Sequence, residues 1–95
     1  MSLTNIKNIL QGIKPELEAK YNVSALGLFG SVVREDYTPD SDIDIILDFN
    51  KPIGVEFIDL AELLEKYLDK SVYLVSRKGI KEQYYKAKEP EIIYV

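Results

Sequence analysis

Apolar residues recur along this chain in two rhythms. Between positions 4 and 20 they fall at Ile6, Ile9, Leu10, Ile13 and Leu17, the spacing of one helical stripe. Pro15 lies inside that stripe, and its missing N–H predicts a kink or a restart there. Ala25 to Phe29 is an apolar run of strand length, and Ile43 to Phe49 is a second, with Asp42 at its mouth. Between them a short helix is expected at 32–36, followed by the turn residues Tyr37-Thr38-Pro39-Asp40-Ser41. Phe57, Leu60, Ala61, Leu64 and Leu68 restore the helical period. Val72 to Val75 reads as a third strand, Gly79 to Lys88 as a short basic helix, and Ile92 to Val95 as a final edge strand. The order αβ(α)βαβαβ predicts an α/β (α+β) fold, a small mixed sheet of about four strands with helices packed on it. A length of 95 residues leads us to expect a single domain spanning 1–95 with one modest core.

Composition narrows the chemistry. There is no cysteine and no histidine, which removes disulfides, thiolate zinc sites, Ser-His hydrolysis and imidazole ligation. Any metal must be held by oxygen, which favours Mg²⁺ or Mn²⁺. The net charge of −4 argues against nucleic-acid binding driven by whole-domain charge. No apolar run approaches the ~18 residues of a membrane span, and no signal peptide is visible at the start. No membrane association is expected, and the cytoplasm is the expected location.

The most specific feature is a pair of motifs. Leu28-Phe29-Gly30-Ser31 is followed, after Val32 to Asp40, by Ser41-Asp42-Ile43-Asp44-Ile45-Ile46. Gly30 after a strand permits a sharp turn and close backbone approach to a ligand. Ser31 is placed to cap the short helix, and free N–H groups there favour anions. The same residues also suit an ordinary strand-to-helix turn. Asp42 and Asp44 stand at i and i+2 of a strand, so they share a face about 6.5 Å apart. Such carboxylates can flank one or two divalent cations, and without a cation they repel each other. A solvent-facing strand end gives the same pattern. An EF-hand loop starting at Asp40 is excluded, because Ile45 and Lys51 stand where glycine and glutamate are needed. Aspartate-nucleophile phosphatases and sugar-nucleotide glycosyltransferases need more chain than this.

Taken in register, the stretch resembles the minimal nucleotidyltransferases of the DNA polymerase beta superfamily. Their signature is Gly-Ser, about ten residues, then Ser-Asp-x-Asp. Phe29-Gly30-Ser31, Arg34 and Pro39-Asp40-Ser41-Asp42-Ile43-Asp44 all fall where that pattern puts them, and the likeness extends over nearly the whole chain. The resemblance implies that Asp42 and Asp44 are the catalytic, metal-binding carboxylates. It implies that Gly30, Ser31, Arg34 and Ser41 contact ATP or another NTP, with Mg²⁺ (or Mn²⁺) as the cofactor. The implied reaction moves a nucleoside monophosphate onto a hydroxyl and releases pyrophosphate. Small stand-alone members form toxin–antitoxin pairs with helical HEPN proteins, and some modify that partner with AMP. A HEPN-type chain is therefore the implied partner, and direct nucleic-acid binding is not expected.

The chain departs from the pattern at one position that matters for catalysis. A third aspartate is expected on the next strand, yet the segment reads Lys70-Ser71-Val72-Tyr73-Leu74-Val75-Ser76, with Tyr73 in the carboxylate's place. Val72 and Leu74 should face the core, and Tyr73 and Val75 the site. Losing a positioned general base typically costs about 10²–10⁴ in rate, so transfer could be weak or lost, leaving a protein that neutralises a helical partner by contact. Glu35, where the family often has glycine, is a lesser departure. Arg34 suits either a phosphate or pairing with Asp36 or Asp40. Arg77, Lys78, Lys81, Lys86 and Lys88 form a basic stretch, and Tyr84 and Tyr85 read as packing residues.

Overall fold

Ser2 starts the first helix, its Oγ accepting the Asn5 N–H at 3.2 Å. The computed structural model describes residues 2–34 and 36–95. Helix α1 (Leu3–Tyr21) runs through Pro15 as one element, which corrects the expected restart. Proline removes the N–H that would bond the Gln11 carbonyl, but Gln11 and Pro15 are both exposed, so water can serve that carbonyl. Asn22, in the left-handed region at φ 59°, ends the helix, a conformation that asparagine tolerates.

Strand β1 (Val23–Phe29), helix α2 (Ser31–Arg34), strand β2 (Ile43–Phe49), helix α3 (Glu56–Leu68) and strand β3 (Val72–Ser76) follow. Helix α4 (Glu82–Lys88), a 3₁₀ turn (Glu89–Glu91) and strand β4 (Ile93–Tyr94) complete the order. The sheet order is β3-β2-β1-β4. β1 pairs antiparallel with both β2 and β4, and β2 pairs parallel with β3. That parallel pair needs a crossover, and α3 supplies it. The architecture is the mixed α/β sheet that the hydrophobic pattern predicts.

Alternation along the strands divides the side chains between two faces. Leu26 and Leu28 of β1 and Ile43, Ile45 and Leu47 of β2 are buried against the apolar stripes of α1 and α3. Phe29, Ile46 and Val75 form a smaller cluster on the other face, packed by Ile80, Tyr85 and Ile92. The first face holds the main core, and the second carries the motif residues.

Several boundaries differ from expectation for local reasons. β1 begins at Val23, and the register shifts between Val23 and Ala25; this bulge at polar Ser24 hides the strand's first residues from an alternation reading. The helix expected at 32–36 is α2 (Ser31–Arg34), with Asp36 beyond it, and Glu35 lies outside the described residues. The basic helix begins at Glu82, not Gly79, whose N–H donates to the Ser76 carbonyl at 3.0 Å in a turn. β4 is two residues long, paired as Gly27↔Tyr94 and Leu28↔Ile93. A Cβ on Gly27 would lie 2.7 Å from Ile92 Cγ2 and 3.3 Å from Tyr94 Cδ1, so the missing side chain at residue 27 lets β4 and the residue before it lie close to β1. Among the described residues, no helix is long and apolar enough to cross a membrane.

Leu64 of α3 is fully buried in the main core. Leu64→Ala should therefore cost about 2–5 kcal/mol of folding stability. Urea unfolding of the two proteins, with an unchanged m-value, checks this.

Candidate functional site

The motif residues meet because β1 and β2 are antiparallel neighbours. Phe29 pairs with Asp44, so the turn that follows β1 comes up against the start of β2. Gly30 makes that turn at φ +76°, a conformation suited to glycine. A Cβ there would lie 2.9 Å from Asp44 Cγ and closer still to Oδ2. The Gly30 carbonyl accepts the N–H groups of Val33 at 3.0 Å and Arg34 at 3.1 Å, which opens α2. Gly30 thus stands before the helix, and Ser31 is its first residue; this corrects the expectation that Ser31 caps a helix beginning at 32.

Asp42 is exposed immediately before β2, and Ile43 N–H anchors the strand's start on the Ser71 carbonyl at 2.9 Å. Ser41 is occupied locally. Its Oγ accepts the Thr38 N–H at 3.1 Å and lies 3.1 Å from Thr38 Oγ1, closing the turn that delivers Asp42. Asp44 is half-buried on β2, flanked by Phe29 on one side and Tyr73 on the other. Tyr73 is 49% exposed, while Val72 and Leu74 pack toward the main core and Val75 joins the second cluster. The alternation expected for this strand therefore holds, and Tyr73 shares the face of Asp44.

Electrostatics reveal further members of the site. Burial raises the Asp44 carboxyl above its usual value, and the Asp42 charge raises it further; Lys88 and Arg34 draw it down, while Glu91 pushes it up. Burial also raises the Tyr84 phenol, with the charges of Tyr73, Asp44 and Glu91 adding to the effect. The C-terminal segment thus reaches the motif. Glu91 Oε1 accepts the Gly30 N–H at 3.0 Å and the Arg34 Nη1–H at 3.2 Å, with Oε2 3.3 Å from the same nitrogen. Arg34 also lies 3.6 Å from Asp36, through Nε. The arginine pairs with Asp36, one of the partners the sequence left open, but its shortest contact is with Glu91, a residue that sequence reasoning did not single out. Glu91 stands 61 positions from Gly30, and no local spacing announces the contact. Tyr85 packs as expected, its ring under the Arg77 guanidinium at 3.5 Å, whereas Tyr84 is partly exposed.

Among the described residues, no cluster of three or more metal-ligating side chains occurs. Two neighbouring carboxylates are nonetheless the donor set Mg²⁺ commonly takes from a protein, phosphates and water supplying the rest. The Asp42 charge beside Asp44 is a repulsion that a bound cation would relieve. The oxygen donors present therefore fit a hard divalent ion.

Comparison with known proteins supports the same region of chemistry. The profile of the nucleotidyltransferase domain family matches residues 10–93. The protein adenylyltransferase MntA of Thermococcus cleftensis is 38% identical over 96 residues, covering 100% of this chain and 97% of its own length. A solved candidate minimal nucleotidyltransferase superposes with a TM-score of 0.83 at 26% identity, over 98% of this chain and 95% of that one. The complex of a tri-AMPylated Shewanella oneidensis HEPN toxin with its MNT antitoxin contains the same fold. Its TM-score is 0.69 at 20% identity, over 99% of this chain and 71% of that one.

The raised Asp44 carboxyl has a consequence for stability. The folded chain binds that proton more tightly than the unfolded chain does. Stability therefore falls as pH rises from the ordinary carboxylate range through the raised value. Asp44→Asn removes this loss. Without metal, the variant should melt higher than wild type at neutral pH, and the difference should vanish below pH ~3.9, the ordinary aspartate value. Thermal melts at the two pH values check both halves.

Proposed function

The chain belongs to the nucleotidyltransferase domain family, and we propose that it binds a metal–NTP complex and transfers a nucleoside monophosphate to a hydroxyl on a partner protein. The observation that carries this reading is the convergence of Gly30, Arg34, Asp42 and Asp44 on one end of β2, with Gly30 packed against the Asp44 carboxylate. The name of the Thermococcus cleftensis relative supports ATP as the nucleotide and a protein as the acceptor. The HEPN complex found on the same fold supports a helical HEPN-type partner, and a cytoplasmic location goes with that assignment.

Each residue has a task in this reading. Asp42 and Asp44 would hold Mg²⁺ or Mn²⁺, which supplies charge neutralisation to the triphosphate when bound. Gly30 N–H, Ser31 and Arg34 would receive phosphate oxygens, donors of the kind that recognise such groups. Ser41, committed to the turn, would act by fixing Asp42. The acceptor oxygen bonds to the α-phosphorus, the bond to the bridging oxygen breaks, and pyrophosphate leaves. The acceptor's proton needs a base. A carboxylate is the usual group for that task, and Tyr73 offers none.

That substitution supports a second reading, in which the chain keeps nucleotide binding and neutralises a helical partner by contact with little or no transfer. Label from radioactive ATP appearing on a co-purified partner separates the two.

Two variants test the site. Asp42→Asn combined with Asp44→Asn should abolish Mg²⁺-dependent ATP binding while the circular dichroism spectrum stays unchanged, because removing repelling carboxylates costs the metal-free fold little. Retained affinity in the folded double variant would sink the assignment. Tyr73→Asp adds a carboxylate beside Asp44 on the same face. With the partner present, it should raise transfer at least about tenfold, from the usual worth of a general base. Strong transfer by the wild type would show instead that the third carboxylate is dispensable.

A further inference from the structure

The Gly30 N–H and the Arg34 guanidinium already hold an anion, and that anion belongs to the chain. Both are bonded to the Glu91 carboxylate, at 3.0 Å and 3.2 Å respectively. An N–H from the backbone beside a guanidinium is a donor set that carboxylates and phosphates share. A phosphate oxygen cannot take the Gly30 hydrogen while Glu91 Oε1 occupies it. We propose that Glu91 is a resident competitor for phosphate. It fills the anion seat of the resting protein and must leave before a triphosphate can be fully engaged. This rests on the nucleotide-binding reading above and adds a regulated step to it.

Three features of the fold fit Glu91 to that role. Its carboxylate holds the N–H of Gly30, the residue whose backbone packs directly against the Asp44 carboxylate. The resting site therefore carries a third acidic group, and an incoming metal–triphosphate would expel it. Glu91 closes a three-residue 3₁₀ turn, and the strand after it pairs with β1 at two positions, followed by one backbone bond from the Val95 N–H to the Leu26 carbonyl at 2.8 Å. The carboxylate therefore swings out without breaking the six-position pairing of β1 with β2. Finally, Arg34 is held by the same carboxylate and by Asp36, so release of Glu91 frees the guanidinium as well as the Gly30 N–H.

The size of the effect follows from occupancy. Where the competent form is about one tenth of the population, apparent affinity falls about tenfold. Glu91→Gln keeps the length and an acceptor oxygen while removing the charge, so it preserves the turn. Glu91→Ala empties the seat.

The test is titration of the full chain with inorganic tripolyphosphate and Mg²⁺, followed by calorimetry and by the Gly30 amide resonance. Both variants should bind about tenfold tighter than wild type, with the Gly30 amide moving on saturation. Equal or weaker binding by Glu91→Gln overturns the proposal, as does binding that leaves the Gly30 amide unmoved, or no binding by any of the chains. Glu91→Ala weaker than wild type, with Glu91→Gln unchanged, also overturns it, by making Glu91 a support for Arg34. The paired Asp42→Asn and Asp44→Asn variant, which leaves Glu91 in place, reports separately on the metal assignment. Tightening in Glu91→Gln with no loss in that variant removes the metal reading alone. Loss there with no tightening removes the competitor alone.

Discussion

The site depends on one close approach, that of the Gly30 backbone to the Asp44 carboxylate. Pairing of Phe29 with Asp44 brings the two segments together, and the absence of a side chain at residue 30 lets them touch. The positive φ at Gly30 then turns the chain into α2, which brings the Arg34 charge within reach of the same carboxylate. The antiparallel β1–β2 pairing is thus both the centre of the sheet and the frame of the site. A slip of one residue in that pairing would turn Asp44 toward the main core, where an unpaired carboxylate is costly.

Electrostatic tension distinguishes the two faces of the sheet. One face is buried apolar packing with no buried charged residue among the described residues. The other concentrates Asp42, Asp44 and Glu91 around two cations, Arg34 and Lys88. The acidic excess is not balanced within the site. It leaves a proton affinity at Asp44 that burial and neighbouring charge both increase. Such a cluster is poised for cations, and the chain answers part of its own need through Arg34 and Lys88.

Most of the fold was legible in the sequence because its signals are local. The stripe from Ile6 to Leu17, the runs of β1 and β2 and the amphipathic α3 all declare their period within a few residues. The turn chemistry of Gly30 and the facing of Asp42, Asp44 and Tyr73 followed from strand alternation. Long-range closure was harder to read. Glu91 and Tyr84 come to the site from the far end of the chain through the docking of β4 against β1, which no spacing encodes. The bulge at Ser24 and the unbroken helix through Pro15 were hidden for a related reason. In each, a rule of periodicity or propensity gives way to solvent or to a partner strand.

The two-residue pairing of β4 has a further meaning in the language of hydrogen exchange. Local opening spans a wide range of free energies within one protein, and elements with few contacts occupy the low end. The amides at the β1–β4 seam should then exchange through fraying of the last few residues, well below the cost of global unfolding. Those between β1 and β2 should wait for the whole sheet. The bulk of the residue facing Gly27 sets how readily that seam parts. The ease of opening is therefore a property separate from the stability of the core, and the chain can adjust one with little change to the other.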